Sequence, residues 1–178
     1  MPYRAVLQGW HDFYIVAGTV AATLVGLLFV GLSLHLRVIL SRNEVRSLAR
    51  VTLANLGLVL IVSLFLVIPE GLAPARTELL FSGIVTLGFI APSLITASRS
   101  ETRTLRGYRL LVRIAFSAMA YAGVIVASSF YTRHSYHSAL SGLVAVIVAL
   151  VVISLRNSWD LLVSVGEVAL QEKEPVGD

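Results

Sequence analysis

Residues 13–34 read FYIVAGTVAATLVGLLFVGLSL and contain no charged side chain over 22 positions. An α-helix rises about 1.5 Å per residue, so about 20 apolar residues cross the ~30 Å hydrocarbon core of a bilayer. Four more uncharged runs of 18 to 20 residues follow, at 51–69, 79–98, 114–132 and 138–155. These runs lack the alternation of barrel strands, and a bilayer leaves no water to bond the backbone. The sequence therefore predicts an all-α polytopic bundle of five transmembrane helices.

The composition agrees with a membrane domain. Of the 178 residues, 57% are hydrophobic and 13% are charged, and the mean hydropathy is strongly positive. Soluble domains carry about 25% charged residues, so this chain lacks the side chains for a conventional solvated surface. We expect one transmembrane domain over residues 1–178, in which residues 156–172 extend the last span as a cytoplasmic amphipathic helix. That extension would lie on the inner leaflet or form a short coiled coil between subunits.

Basic residues are distributed unevenly among the predicted loops. Eleven lie between the first and second spans, between the third and fourth, and after the fifth. The other side holds three, namely Arg4, Arg76 and Arg133. Cytoplasmic loops carry the excess of Arg and Lys, so we expect the N-terminus outside and the C-terminus in the cytoplasm of a bacterial inner membrane.

The basic loops also suggest a partner. Arg42, Arg46 and Arg50 share one helical face at a spacing of four residues, and Arg103 and Arg106 lie in the third gap. Such clusters beside a membrane bind anionic lipid headgroups as well as setting orientation. The alternative is a regulatory anion site. The net charge of +4 is confined to these loops, so an anionic membrane surface explains it better than nucleic acid does.

Small residues recur every four positions in two of the predicted helices. Gly18, Ala22 and Gly26 form such a stripe in the first helix, and Ser141, Ala145 and Ala149 form one in the fifth. Small side chains let helix backbones approach closely, which drives association in lipid. The first stripe therefore predicts helix packing, with a helix of the same chain, a second copy or another membrane protein as the partner.

Weakly polar side chains form a stripe on each of three further helices. In the simpler interpretation these groups face the bundle interior and bond across it. In the functional interpretation some of them line a hydrated path. The candidates for lining such a path are Thr52, Asn55, Ser63, Ser117, Tyr121 and Ser128. Asn55 is the most polar of them and the best single candidate inside the membrane.

Imidazole and carboxylate groups occur at the predicted outer boundary. Zinc and other divalent ions bind such groups, and three protein ligands with an open position suit a catalytic metal. The alternative is a set of ordinary interfacial residues. The candidate ligands are His11, Asp12, Glu70, Glu78, His134 and His137.

Several kinds of chemistry are excluded by residue content. The chain has no cysteine, which removes disulfides, thiolate metal sites and iron–sulfur clusters. Its one lysine, Lys173, lies in the polar tail, so no buried amine is available for a Schiff base. The sequence contains no glycine-rich phosphate loop, nucleophile elbow or HExxH motif. We therefore expect no cofactor.

The N-terminal part of the chain resembles a group of other membrane proteins. The segments WHDFY at residues 10–14 and GLLFV at residues 26–30 resemble the start of small, uncharacterised multi-pass membrane proteins of bacteria. The likeness reaches about as far as His35 and implies no activity.

The favoured interpretation is a non-enzymatic integral membrane protein that acts through helix–helix association, because packing motifs are present and chemical motifs are missing. It would be an accessory, regulatory or assembly component. One alternative is an oligomeric ion channel or small-solute facilitator whose polar stripes surround a central path. A second alternative is an outward-facing, metal-dependent membrane enzyme.

The predicted orientation can be tested with single cysteines, because the natural chain contains none. Cysteines at positions 5, 74 and 135 should react with an impermeant maleimide in intact cells, whereas cysteines at positions 43, 104 and 172 should react only after the cells are lysed. The reverse labelling pattern would contradict the orientation inferred from the arginines.

Overall fold

The fold is a bundle of long helices. The computed structural model describes residues 3–34, 43–68, 71–99, 105–130 and 136–171. Within these ranges there are five α-helices and no strand, namely α1 Tyr3–Leu34, α2 Asn43–Val67, α3 Leu72–Arg99, α4 Leu105–Ser129 and α5 Tyr136–Gln171. All five are long and apolar enough to span a membrane. The predicted all-α, five-helix membrane architecture is thus confirmed.

The helices are longer than the uncharged runs that predict them. The candidate spans within them are Val6–Leu34, Val45–Val67, Ala73–Ile95, Leu111–Ser129 and His137–Val163. Helical hydrogen bonding continues past the last apolar residue because charged side chains at a helix end can remain solvated while the backbone stays bonded. Helix α5 accordingly continues without a break beyond Leu155, through Arg156 and Asp160.

Helix α2 is the centre of the bundle. It contacts each of the other four helices, and 56% of its most apolar stretch is buried, against 22% for α1 and 33% for each of the others. A helix that is apolar on all sides is suited to such a position. Buried residues do occur all round α2, from Leu48 and Ala49 through Leu56 and Leu58 to Leu66.

The remaining helices are arranged around α2 in the order α1, α5, α4 and α3. Neighbouring members of this order contact each other as well as α2. Two close approaches show how small residues set the distances. A Cβ atom on Gly18 of α1 would lie 3.2 Å from the Cβ atom of Ser63 in α2. One on Gly83 of α3 would lie 2.8 Å from Cγ1 of Ile125 in α4.

The C-terminal part of α5 belongs to the bundle at least as far as Leu161. Leu161 is buried in an apolar cluster with Leu28 of α1 and with Leu48 and Leu56 of α2. Asn157, one turn earlier, is also buried. This part of the predicted extension therefore packs against α1 and α2, while Trp159 and Leu162 remain exposed on its other side.

The close approach of α3 and α4 makes a test of the packing. Gly83→Ala should lower the free energy of unfolding in mixed micelles by about 1–3 kcal/mol, because the new methyl group overpacks the contact with Ile125. The matched control is Gly88→Ala on the same helix, where a Cβ atom meets nothing within 4 Å. The control should be as stable as the natural protein or more stable by up to about 1 kcal/mol, because alanine favours a helix over glycine. Equal stability of the two variants would contradict the observed helix separation.

Candidate functional site

Three polar side chains meet in the middle of the bundle, and we call them the central polar cluster. Asn55 comes from α2, and Ser117 and Tyr121 come from α4. The Asn55 Nδ2 group donates a hydrogen bond to Ser117 Oγ at 3.1 Å, and the Tyr121 hydroxyl donates one to Asn55 Oδ1. All three residues are 0% exposed. The cluster therefore joins α2 to α4 out of contact with water.

Local structure explains why these residues meet. Ser117 and Tyr121 are four positions apart, so they lie on one face of α4. The side-chain amide of Asn55 both donates and accepts, so it can serve the two hydroxyl groups at once. Interhelical hydrogen bonds in membrane proteins contribute about 0.6 kcal/mol on average and up to about 1.7 kcal/mol. The cluster thus acts as a modest but specific link that defines the rotation of α4 against α2.

Other hydroxyl groups of the polar stripes bond within their own helices. Thr52 Oγ1 donates to the carbonyl of Leu48 at 2.8 Å, and Ser128 Oγ donates to the carbonyl of Ile125 at 2.6 Å. Such bonds to the preceding turn are the usual way to satisfy Ser and Thr in apolar helices. Ser63 differs, because its buried Oγ has no hydrogen-bond partner among the described residues. Of the described stripe residues, Asn55, Ser117 and Tyr121 form the bonds between helices.

The six candidate path-lining residues are thus placed inside a single chain. Each is buried, with at most 1% exposure. A water path along Asn55 would require α2 and α4 to separate, which would break both bonds of the central polar cluster. The role of these residues in conduction stays a prediction, whereas their packing role is visible in the contacts.

The candidate metal ligands come from three helices. His11 and Asp12 lie on α1, Glu78 lies on α3, and His137 lies in the first turn of α5. Glu70 and His134 fall outside the described residues. Within the described part of the chain, no three His, Cys, Asp or Glu side chains are placed so that they could hold a metal ion. The metal hypothesis stays a prediction that requires Glu70 or His134.

The candidate lipid-headgroup arginines are described in part. Arg42 and Arg103 lie outside the described residues, and Arg106 lies in the first turn of α4. Arg46 is exposed. The guanidinium carbon of Arg50 lies 6.0 Å from the centroid of the Phe89 ring in α3, at the outer range of a cation–π contact. Arg50 therefore also contributes to packing.

The small-residue stripe of α1 lies partly inside the bundle and partly on its outer surface. Gly18 packs against Ser63 of α2 inside the chain. Ala22 and Gly26 are exposed, and a Cβ atom on Gly26 would meet nothing within 4 Å. On α5, Ser141, Ala145 and Ala149 are exposed as well. Two stripes of small residues therefore face outward on neighbouring helices.

A second polar group was missed by the sequence analysis. The carboxylate of Asp160 in α5 forms an ion pair with the guanidinium group of Arg113 in α4. Nearby on α5, Ser154 and Asn157 are buried, and neither Ser154 Oγ nor Asn157 Nδ2 has a hydrogen-bond partner among the described residues. Asn157 is thus a second buried amide in the bundle.

One signal could have revealed the ion pair. Asp160 is the only acidic residue in the candidate span of α5, and Arg113 directly precedes the uncharged run of α4. A partly buried carboxylate at the end of a membrane span is stabilised by an opposite charge nearby. The prediction ended the fifth span at Leu155 and thereby treated Asp160 as a solvated residue.

Comparison with protein-family models, curated proteins and solved structures finds no match for this chain. Functional inference therefore depends on the geometry of the described residues.

The central polar cluster can be tested by a double-mutant cycle. Tyr121→Phe should lower the free energy of unfolding in mixed micelles by about 0.6–1.7 kcal/mol. It should have almost no effect when Asn55→Leu is already present, because the hydroxyl group then has no acceptor to lose. Thr52→Val is the matched control, since Thr52 bonds to its own helix, and it should be additive with Tyr121→Phe. Additivity of the Asn55 and Tyr121 substitutions would contradict the bond between α2 and α4.

Proposed function

We propose that this chain is a non-enzymatic membrane protein that acts through helix–helix association, as an accessory, regulatory or assembly component. One observation carries the proposal. Ala22 and Gly26 continue the small-residue stripe of α1, yet they face outward while Gly18 packs inside the chain. Two of the three residues of the stripe are thus left without a partner among the described helices.

A glycine on the outer face of a helix is energetically unfavourable unless another helix packs against it. Glycine in a helix interior is less favourable than alanine by about 1 kcal/mol in water, and towards lipid it offers little surface for van der Waals contact. A second helix changes this balance, because the missing side chain lets two backbones approach closely. Gly26 would therefore be explained by a partner helix packed on that face of α1.

The neighbouring helix supports the same proposal. On α5 the exposed residues Ser141, Ala145 and Ala149 repeat the four-residue spacing, and α5 contacts α1 in the bundle. The Ser141 hydroxyl group is bonded to the carbonyl of His137 in its own helix at 3.1 Å, so it can face lipid or a second helix without an unsatisfied donor. A second copy of this chain is the partner that we favour, and another membrane protein is the alternative.

The central polar cluster also supports a non-enzymatic role. Both polar atoms of the Asn55 side chain are already bonded, and the carboxylate of Asp160 is paired with Arg113. These groups stabilise the arrangement of α2, α4 and α5, and using them for chemistry would break the contacts that they make. We place the protein in a bacterial inner membrane with its N-terminus outside, as the distribution of arginines indicates.

Leucine substitutions along the stripe separate folding from association. Ala22→Leu and Gly26→Leu should weaken the detergent-solubilised oligomer, measured by light scattering or cross-linking, without destabilising the single chain. Gly18→Leu should instead destabilise the chain, because its side chain would collide with Ser63. Gly88→Leu is the control for an exposed glycine on another helix and should weaken neither the oligomer nor the single chain.

Two results would contradict this proposal. The first is an oligomeric state that is the same in the natural protein, Ala22→Leu and Gly26→Leu. The second is a flux of ions or small solutes through liposomes containing the protein, above that of empty liposomes, which would favour the channel alternative.

A further inference from the structure

A groove lies between α1 and α5 on the surface of the bundle. Its volume is about 650 Å³, within the range of ~300–1,000 Å³ that small-molecule sites occupy. One wall is formed by Leu24, Leu27 and Leu28 of α1, and the other wall includes Arg156, Trp159 and Leu162 of α5. We call it the α1–α5 groove.

The walls of the groove suit a hydrocarbon chain. Leu27 and Leu162 are more than half exposed, whereas Leu28 is 5% exposed and belongs to the apolar cluster beneath the groove. In the direction of the C-termini the two helices converge, since a Cβ atom on Gly31 would lie 3.4 Å from Cδ2 of Leu162. The groove therefore has an apolar floor and a bounded end, and its exposed leucines face the surrounding lipid.

One side chain gives the groove a positive charge. Arg156 is exposed, and the described residues provide no ion-pair partner for it. Asp160 lies one turn further along α5, at the four-residue spacing that commonly forms an ion pair. Its carboxylate is instead paired with Arg113 of α4. Among the described residues, the charge of Arg156 is thus uncompensated in a groove that is otherwise lined by apolar side chains and Ser158.

The depth of this charge matches the boundary of a membrane. Trp159 is 69% exposed and lies three residues after Arg156, and exposed tryptophans of membrane proteins concentrate at the headgroup level. The ion pair between Arg113 and Asp160 is at the same end of the bundle. A long arginine side chain beside this boundary can place its guanidinium group among headgroups.

We propose that the α1–α5 groove binds an anionic phospholipid, with the phosphate group on Arg156 and an acyl chain along the leucines of α1. Charge complementarity favours this occupant, because guanidinium groups bind phosphate through paired hydrogen bonds and basic pockets between transmembrane helices bind anionic headgroups. A second copy of the chain would cover the leucines but would have to bring a carboxylate to Arg156. A bound lipid would also bridge α1 and α5, the two helices that carry the outward small-residue stripes.

The probe for the test is phosphatidylglycerol, compared with phosphatidylcholine of the same acyl chains. Binding to the detergent-solubilised full chain is measured by native mass spectrometry and by the rise in unfolding temperature. Phosphatidylglycerol should bind more tightly, and Arg156→Gln should weaken its binding by about fivefold. Arg156→Lys should retain part of the preference, and Leu27→Trp should reduce the binding of both lipids by filling the groove.

The matched control is Arg76→Gln, which removes an exposed arginine from the first turns of α3 and should leave binding unchanged. Equal binding of the two lipids, or unchanged phosphatidylglycerol binding in Arg156→Gln, would overturn the proposal. Equal stabilisation by inorganic phosphate alone would also overturn it, because the leucines would then contribute nothing. An Arg156→Gln variant that changes oligomeric state and keeps its lipid preference would indicate an interface between copies instead.

Discussion

The hydrocarbon core of a bilayer contains no water to bond a backbone N–H or C=O group, and every described element satisfies this constraint by being helical. Once the backbone is satisfied, helices no longer associate through the hydrophobic effect, since lipid is as apolar as leucine. Close contact then decides the packing. The bundle accordingly surrounds α2, the most buried of the five described helices. Helices approach closely at Gly18, between α1 and α2, and at Gly83, between α3 and α4, where a larger side chain would not fit.

Several buried polar side chains meet the same constraint, although Ser63, Ser154 and Asn157 each have a buried polar atom without a hydrogen-bond partner among the described residues. Thr52 and Ser128 bond to their own helices, whereas Asn55 requires partners from another helix and finds them in Ser117 and Tyr121. The pair of Arg113 and Asp160 joins α4 to α5 in a comparable way. These links specify which faces of the helices meet, because rotating a helix would leave the central polar cluster unbonded in an apolar medium and would separate the ion pair.

The outer surface of the bundle carries two features that packing within one chain does not explain. Ala22 and Gly26 present a packing surface to the outside. The α1–α5 groove combines exposed leucines with the charge of Arg156, which has no ion-pair partner among the described residues. Association with a partner helix and binding of an anionic lipid would both act on α1 and α5. The two proposals are thus linked through the same pair of helices but depend on different residues.

The number of helices and the inward direction of the polar stripes followed from the sequence alone, because apolar length and helical period are local properties of the chain. Sequence also identified Asn55 as the main polar group of the second helix. It did not reveal that Asn55 bonds to Tyr121, that Asp160 pairs with Arg113, or that Gly18 faces inward while Gly26 faces outward. Those features depend on the rotation and separation of helices that are distant in the chain. Only tertiary packing decided them, because each contact joins two helices and the pattern along one helix does not specify which face meets the other.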